Sequence, residues 1–501
     1  MRLRMKNRLL KEVGFLQKVG FFQGDTLLIP FLFYGPDIKI NTSRSTKVDT
    51  NLRGGYEMKK RMKKLASLLL AGAMVFSLAA CGSGGDDADS GSDSSDGKVT
   101  IKITWWGGDS RHEYTQELLD AYTAENPNVE FEATPAGWEG YFDKLSTQAA
   151  SGSMPDIVQM DYLYIATYAK NGSLADLSEF IEDGTIDTTN VDDATLNTGL
   201  IDGKMAGIVA GTNALAVTYN PEVLTAAGVE APADDWTWDD YVALNTAVAE
   251  STGEESALTA TIGPFGDMNF FNYYVRQHGE TLFNEDGTAL AFDDDSITAD
   301  YFQMWADMAA ADVTPDPDEQ SQIATLGIES LPVVTGEAGT TLEWNTYPNK
   351  VVASNPNLKL ALMPGATENN AMWLKPGMFW SVSESSEVKE ECAKFINWMI
   401  NSEEANDIIM AERGVPISSE IRDYLKSKED VDQTMIDMFD YVDKVTEIAG
   451  ECPAADPGGI AEINKAFNDA GNSVMYGQAT AEEAAASFRE QANDILERNN
   501  G

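Results

Sequence analysis

The chain has 501 residues, of which 81 are acidic and 35 basic, so its formal net charge is −46. A surface this negative repels nucleic acid and anionic lipid headgroups, and we therefore expect no nucleic acid partner. The part that can fold begins near Lys98 and has roughly 400 residues, which is too long for one ordinary core and predicts two lobes.

The first 57 residues fit neither an export signal nor a folded domain. Their apolar patch at residues 27–34 is too short to span a bilayer, and Pro30 interrupts it. Export signals belong at the N-terminus, so Met58 is the expected start of the protein. We interpret residues 1–57 as a translated upstream extension.

Residues 58–80 have the composition of a secretory signal peptide: a basic start, then an apolar run at residues 65–80. That run is short for a membrane-spanning helix, which needs about 20 residues. Cys81 follows a Leu-Ala-Ala triplet, which resembles the lipobox of bacterial lipoproteins. The resemblance implies that the Cys81 thiol receives a diacylglycerol, whose two acyl chains hold a protein on a membrane. The alternative is an uncleaved anchor helix.

Residues 81–97 are predicted to be a tether that begins at the lipidated cysteine. They are rich in Gly, Ser and Asp, and no apolar side chain larger than Ala88 follows Cys81. Such a segment cannot form a core. As a coil it spans roughly 20–25 Å, so the folded part is expected just off the extracellular face of the cytoplasmic membrane.

Residues 98–160 alternate between the patterns of strands and helices. The predicted elements are a strand at 99–105, a helix capped by Asp109 or Ser110 and stopped by Asn126 and Pro127, a strand at 129–133, a helix at 141–150 and a strand at 156–160. This order predicts a parallel sheet with right-handed crossovers.

Ligands of open parallel sheets bind beyond the carboxyl ends of the strands. That rule selects the loops 106–109, 134–138 and 161–164, which are rich in aromatic residues. Aromatic rings beside carboxylates suit sugars, because CH groups stack on the rings and hydroxyls donate to the carboxylates. Core packing is the alternative for each ring. It is expected for Trp105, whereas Trp106 points the other way and is the better ligand candidate.

Several further stretches carry a resemblance to a known family. They are residues 141–145, 151–158, 171–177, 203–208, 217–221, 235–240, 336–340 with Glu343 and Trp344, and 389–401. Their order over roughly residues 99–420 resembles the extracellular solute-binding lipoproteins of ATP-binding-cassette sugar importers, of the maltodextrin and multiple-sugar type.

The resemblance implies an α/β, two-lobed periplasmic-binding-protein-like fold of type II, with a hinge and an interlobe ligand cleft. The first lobe would take residues 98–208 and 368–414. The second would take 209–367 and 415–498. The crossovers would lie near residues 207–211, 364–376 and 414–416.

The candidate ligand-binding residues come partly from this resemblance and partly from the loops. By position, the family's sugar contacts fall on or near Trp106, Asp109, Asp161, Asn213, Asp267, Asn269 and Trp344. The loops add Trp138 and Tyr162. Trp380 is also a candidate, because it borders the second crossover with Trp373 and Phe379, where these rings either floor the cleft or pack the hinge.

Two of these positions need comment. Asn213 stands where maltodextrin-type members often carry an acid, which implies a different hydroxyl pattern or a different sugar. Asp267 has N-capping of a helix as its alternative role. Cys392 has the pattern of a core residue, and whether it pairs with Cys452 is open.

The function that these features predict is capture of a sugar or oligosaccharide between the lobes and its delivery to the membrane permease subunits of the importer. We expect a monomer with no cofactor, no metal and no catalytic residue. His112 and His278 lack partners at metal-ligand spacing, and no nucleophile elbow or phosphate-binding loop is present in the sequence. The alternatives are a polyamine or peptide binder of the same fold and a secreted glycosidase, since the many aspartates leave a carboxylate pair open.

Overall fold

The computed structural model describes residues 98–252 and 264–500. The predicted extension (1–57), signal peptide (58–80), lipidation site Cys81 and tether up to residue 97 lie outside these residues. Within the described ranges, none of the helices has both the length and the apolar character needed to cross a membrane.

The strands of the described residues fall into three sheets. In chain order they are β1 Val99–Thr104, β2 Val129–Ala133, β3 Ile157–Met160, β4 Leu200–Ile201, β5 Lys204–Met205, β6 Ile208–Asn213, β7 Leu215–Tyr219, β8 Thr340–Trp344, β9 Lys359–Ala361 and β10 Lys375–Val382.

Helices connect and cover these strands. In chain order they are α1 Asp109–Glu125, α2 Tyr141–Ala150, α3 Tyr162–Lys170, α4 Ser178–Glu182, α5 Asp193–Leu196, α6 Pro221–Ala227, α7 Trp238–Thr252, α8 Met268–Gln277, α9 Asp295–Ala310, α10 Pro317–Ile323, α11 Pro332–Thr335, α12 Tyr347–Lys350, α13 Lys389–Asn401, α14 Glu403–Ile409, α15 Ser419–Lys426, α16 Gln433–Ile448, α17 Ile460–Met475 and α18 Ala481–Asn500.

The first lobe is built on a five-stranded sheet in the order β2-β1-β3-β10-β6. β1 pairs in parallel with both β2 and β3, which confirms the parallel arrangement predicted from residues 98–160. β10 comes from far along the chain and runs antiparallel between β3 and β6. Every residue of β3 and residues 378–382 of β10 are buried, so the centre of the sheet is covered on both faces.

The second lobe is built on a three-stranded antiparallel sheet in the order β8-β7-β9. Its core is rich in aromatic side chains from several helices. Phe467 of α17 lies with its ring centroid 4.5 Å from Phe271 of α8 and 5.0 Å from Phe488 of α18, and all three are buried. These contacts join the two C-terminal helices, α17 and α18, to the core around α8.

The chain passes between the lobes three times, through segments that touch each other. The first crossover is Ala214, which separates β6 from β7. The second precedes β10, because residues 371–374 still pack in the core of the second lobe. The third follows α14, and there Val415 exchanges two backbone hydrogen bonds of 2.9 Å with Thr212. These connections place the lobe boundaries a few residues later than 208 and 367, because strand pairing and core packing decide where each lobe ends.

Most element boundaries in residues 98–160 match their predictions, and α1 shows where local reasoning failed. The helix begins at Asp109 with Gly108 as its N-cap, and no side chain accepts a cap hydrogen bond. The predicted cap at Asp109 or Ser110 is therefore wrong. Asp109 lies inside the first turn, where a carboxylate still interacts favourably with the helix dipole.

Candidate functional site

A cleft of about 490 Å³ lies between the two lobes. The first lobe contributes the segment after β3 and the facing ends of β6 and β10. The second lobe contributes the start of α8, the end of β8 and the loop between α16 and α17. Seven of the predicted candidates line it: Trp138, Asp161, Tyr162, Asn213, Asp267, Asn269 and Trp344.

Two carboxylates are held in the cleft by helix N-termini, one from each lobe. Asp161 caps α3, and its Oδ1 accepts a hydrogen bond from the backbone N–H of Leu163 at 3.0 Å. Asp267 caps α8, and its Oδ1 accepts from the backbone N–H of Asn269 at 2.9 Å and from Asn269 Nδ2 at 2.7 Å. Asp267 thus has the capping role and also lines the cleft. Burial raises the pKa of Asp161, although the Leu163 N–H and Lys375 oppose the shift.

Asn213 adds an amide to this set. It ends β6 and lies opposite Lys375 of β10 in the strand register. Its Oδ1 is buried and has no hydrogen-bond partner among the described residues. A buried acceptor without a donor is costly, so a ligand that donates a hydrogen bond here would remove that cost.

Trp138 and Trp344 give the cleft its accessible apolar surface, whereas Trp373, which also belongs to the lining, is only 3% exposed. Trp344 ends β8, and the Lys375 ammonium lies 5.2 Å from the centroid of its ring. Trp373 precedes β10 and has the Arg276 guanidinium 5.4 Å from its ring centroid. Trp138 is 48% exposed and lies in the first lobe. Rings that are fixed by neighbouring groups and open to a cleft are suited to stacking on flat apolar faces.

The structure does not bring Trp106, Asp109 and Trp380 into the cleft lining. Trp106 is 7% exposed, and its ring packs edge-on against Trp138 at 5.3 Å, so it supports Trp138 instead. Asp109 is exposed in the first turn of α1. Trp380 is 1% exposed and stacks with the Arg413 guanidinium at 4.7 Å. Both tryptophans are buried because the first-lobe sheet is covered on both faces. The prediction from alternation assumed that only one face of the strand packs in the core and that the other is open to ligand.

The loop between α16 and α17 is a wall of the cleft that sequence reasoning missed. Cys452, Pro453 and Asp456 of this loop line the cleft. The loop is held to both lobes, because Gly450 donates its N–H to the Met372 carbonyl at 2.8 Å and the Tyr162 hydroxyl donates to the Pro453 carbonyl at 2.8 Å. Its only signal in the sequence was a Pro- and Gly-rich composition, which predicts a loop without assigning it a role.

Lys375 is another cleft residue that the sequence analysis did not identify, since a lysine at a strand start carries no motif.

The structure also describes Cys392 and Cys452, whose pairing the sequence left open. Cys392 is buried in the first-lobe core, Cys452 lines the cleft, and both are free thiols. Among the described residues no group of His, Cys, Asp and Glu is arranged to hold a metal ion.

Glu343 lies directly before Trp344 and has an unusual electrostatic environment. Burial raises its pKa to about 7, and the charge of Asp267 adds to the shift, while the Trp344 N–H and Lys350 oppose it. Its Oε1 is buried without a hydrogen-bond partner among the described residues. The neutral acid is therefore the favoured form below neutral pH.

The Glu343→Gln variant is expected to be more stable than the parent protein above pH 7. The unfolded glutamate ionises near pH 4.5, but the folded one stays protonated to about pH 7, so the parent loses stability as pH rises between these values. The full shift corresponds to up to about 3 kcal/mol, which the neutral glutamine does not lose.

Denaturant midpoints at pH 5 and pH 8 test this expectation. Glu337→Gln, on the exposed turn before β8, is the matched control and is expected to leave the pH dependence unchanged. Equal pH dependence in the parent and Glu343→Gln would contradict the expectation.

Comparisons with known proteins agree with this architecture. The family profile of bacterial extracellular solute-binding proteins matches residues 108–406. Proteins of Brucella abortus and Brucella suis that are named as binding proteins are 24% identical over 231 residues, which is 46% of this chain and 51% of theirs. The chain thus matches about half the length of these relatives. A maltooligosaccharide ABC transporter solute-binding lipoprotein of Streptococcus pneumoniae is 23% identical over 384 residues, 74% of this chain and 84% of that protein.

Solved structures match over more of the chain. A family 1 extracellular solute-binding protein from Alicyclobacillus acidocaldarius has a TM-score of 0.72 and 29% identity, over 80% of this chain and 99% of that one. A periplasmic oligogalacturonide-binding protein from Yersinia enterocolitica has a TM-score of 0.66 and 25% identity, over 80% of this chain and all of that one. These matches confirm the predicted two-lobed α/β fold of type II.

Proposed function

This chain belongs to the bacterial extracellular solute-binding proteins, and we propose that it is a receptor that captures a sugar or oligosaccharide between its lobes and delivers it to an ATP-binding-cassette permease. The receptor is a monomer that is held on the extracellular face of the cytoplasmic membrane by lipid on Cys81. ATP is hydrolysed by another subunit, so this chain needs no catalytic residue of its own.

The observation that carries the proposal is the lining of the cleft. Two tryptophans that are not buried, Trp138 and Trp344, line the same cleft as Asp161 and Asp267. Each carboxylate uses Oδ1 for its helix cap, and its Oδ2 accepts no hydrogen bond from the described residues. A sugar offers apolar CH faces to rings and hydroxyl donors to such oxygens.

The relatives support the same class of ligand. The Streptococcus pneumoniae relative is named for maltooligosaccharide and the Yersinia enterocolitica structure for oligogalacturonide. The two sugars differ, so the names support a carbohydrate without selecting one.

Delivery requires the lobes to close on the ligand, and the contact between Tyr162 and Pro453 is consistent with such a closed state. Tyr162 belongs to α3 of the first lobe, whereas Pro453 lies on the loop that Gly450 joins to the second lobe. Their hydrogen bond joins two residues of the cleft lining. In hinged domains, contacts of this kind form when the lobes close, and they stabilise the closed, ligand-bound state.

The alternative that a specific observation favours is a polyamine binder. Asp161, Asp267 and Asp456 all line the cleft, and a cationic chain would pair with carboxylates. Lys375 lies among them and competes for the same partners, which makes a sugar the better match.

A thermal-shift screen of the purified protein tests the function. The panel contains mono- and oligosaccharides, polyamines and short peptides. A ligand at 100 times its dissociation constant stabilises the fold by about 2.7 kcal/mol, which is visible as a higher melting temperature. A shift with one sugar class, with the sugar recovered intact by chromatography, supports a sugar receptor. A shift with polyamines alone overturns it, and breakdown of the sugar would identify a glycosidase.

A further inference from the structure

We infer that the cleft selects uncharged sugars over uronic acid sugars, and that Asp456 on the loop between α16 and α17 sets this selection. The inference rests on the proposed function, because it names the class of sugar that the same cleft accepts. The question is open for this fold, since one of the similar solved structures is an oligogalacturonide-binding protein.

The helix N-termini at the cleft are the first reason. An N-terminus attracts anions through its free N–H groups and dipole, so α3 and α8 would be natural sites for a ligand carboxylate. Both are already occupied by carboxylates of the protein. Asp161 accepts from the second residue of α3, and Asp267 accepts from the second residue of α8. A uronate would have to compete with these fixed charges.

The cations of the cleft are the second reason. Lys375 and Lys350 line it, and no arginine does so within the described residues. Lys350 is exposed at the surface. The Lys375 ammonium lies over the ring of Trp344 at 5.2 Å. Its charge opposes the rise in the pKa of both Asp161 and Asp456, so it already interacts with carboxylates of the protein.

Arg276 lies near the cleft but does not offer its guanidinium to a ligand carboxylate. It lies 5.4 Å from the Trp373 ring, on a side chain that is not part of the lining. Its Nε donates to the Ala371 carbonyl at 3.0 Å, and Nη2 donates to the carbonyls of Asn370 and Glu451 at 3.2 and 2.9 Å. These donors are used to hold the backbone, so the bidentate recognition that carboxylates favour is not offered to a ligand.

Asp456 adds a third carboxylate to the two aspartates of the cleft, Asp161 and Asp267. Its loop is fixed by bonds to both lobes at Gly450 and Pro453. Asp456 lines the cleft with a side chain that keeps access to solvent. The surrounding protein still raises its pKa by desolvation; Lys375 opposes the shift, and the charges of Asp267 and Asp161 add to it. Three protein carboxylates therefore act on one another across the cleft. A fourth carboxylate from a ligand would meet repulsion in a partly desolvated space, whereas a neutral hydroxyl would find acceptors.

Asp456 is the residue to test because it has no structural duty in the described contacts. Asp161 and Asp267 each cap a helix, so their replacement would also disturb folding. Asp456→Asn removes the charge and preserves the shape. Glu451→Gln is the matched control: it removes one negative charge from the same loop, on an exposed side chain that does not line the cleft.

The experiment is calorimetric titration of the full protein with matched sugar pairs. The pairs are galactobiose with digalacturonate, maltotriose with its C6-oxidised form, and cellobiose with its C6-oxidised form. We expect a neutral sugar to bind at least about tenfold more tightly than its uronate partner, and Asp456→Asn to reduce that ratio by about fivefold or more. Glu451→Gln is expected to leave the ratio unchanged.

The outcomes separate this inference from the function beneath it. A uronate that binds as tightly as its neutral partner overturns the inference and leaves the sugar receptor intact. An unchanged ratio in Asp456→Asn, with folding preserved by circular dichroism, removes the role of Asp456. Failure of all six sugars to bind, together with no thermal shift for any sugar of the wider screen, overturns the proposed function and the inference together.

Discussion

Replacing Trp344 with alanine is expected to weaken sugar binding by about 1.5–3 kcal/mol, which is about 10- to 100-fold in the dissociation constant. The ring lies at the end of β8 on the cleft surface, partly buried against the second-lobe core. Its loss removes the apolar platform for the ligand and also the cation–π partner of Lys375.

Titration calorimetry below the melting temperature measures this effect. Trp344→Phe is the matched control, because it keeps an aromatic face at the same position, and we expect it to retain most of the affinity. Unchanged binding by the alanine variant would place the ligand away from β8 and contradict the site.

Replacing Gly211 with alanine is expected to destabilise the protein by about 1–3 kcal/mol, because the space for a side chain is filled by backbone. An added Cβ would lie 2.6 Å from the Arg413 carbonyl oxygen and 2.9 Å from the Gly414 carbonyl carbon. The end of β6, which leads into the first crossover, touches the third crossover at this point through the paired hydrogen bonds of Thr212 and Val415. The crossovers must separate to admit the methyl group, so we expect weaker ligand binding as well as a lower melting temperature.

Gly137→Ala provides the comparison for this variant. Nothing lies within 4 Å of a Cβ built there, and its backbone conformation is open to other residues. Thermal unfolding of both variants is the measurement. If Gly211→Ala has the same melting temperature as the parent, the backbone around Gly211 accommodates a methyl group at little cost, which contradicts the expectation.

The helices and strands of residues 98–160 could be predicted because clear helix-breaking and turn-forming residues separate them. Asn126 and Pro127 end α1, and Ser151 and Gly152 end α2, as their turn chemistry predicts. The strand at residues 129–133 and the helix at residues 141–150 match to the residue. Breakers act within a few residues of themselves, so no tertiary information is needed to place these boundaries.

The cleft could be predicted only where the topology of a parallel sheet points to it. Asp161 follows β3, and the rule that ligands bind beyond strand ends placed it at the site. Trp106 and Trp380 show the limit of such reasoning. Both lie in or beside strands of a sheet that is covered on both faces, so the alternation that predicts one exposed face does not apply.

The sequence by itself determined the parallel strands and the kind of chemistry at the strand ends, because these depend on periodicity and on residues close in the chain. Only the tertiary structure decided that Lys375 and Asp456 join Asp161, since 295 residues separate the two aspartates and no local pattern links them. The charge inside the cleft depends on which distant segments the crossovers bring together. It therefore belongs to the packing of the lobes and not to any motif.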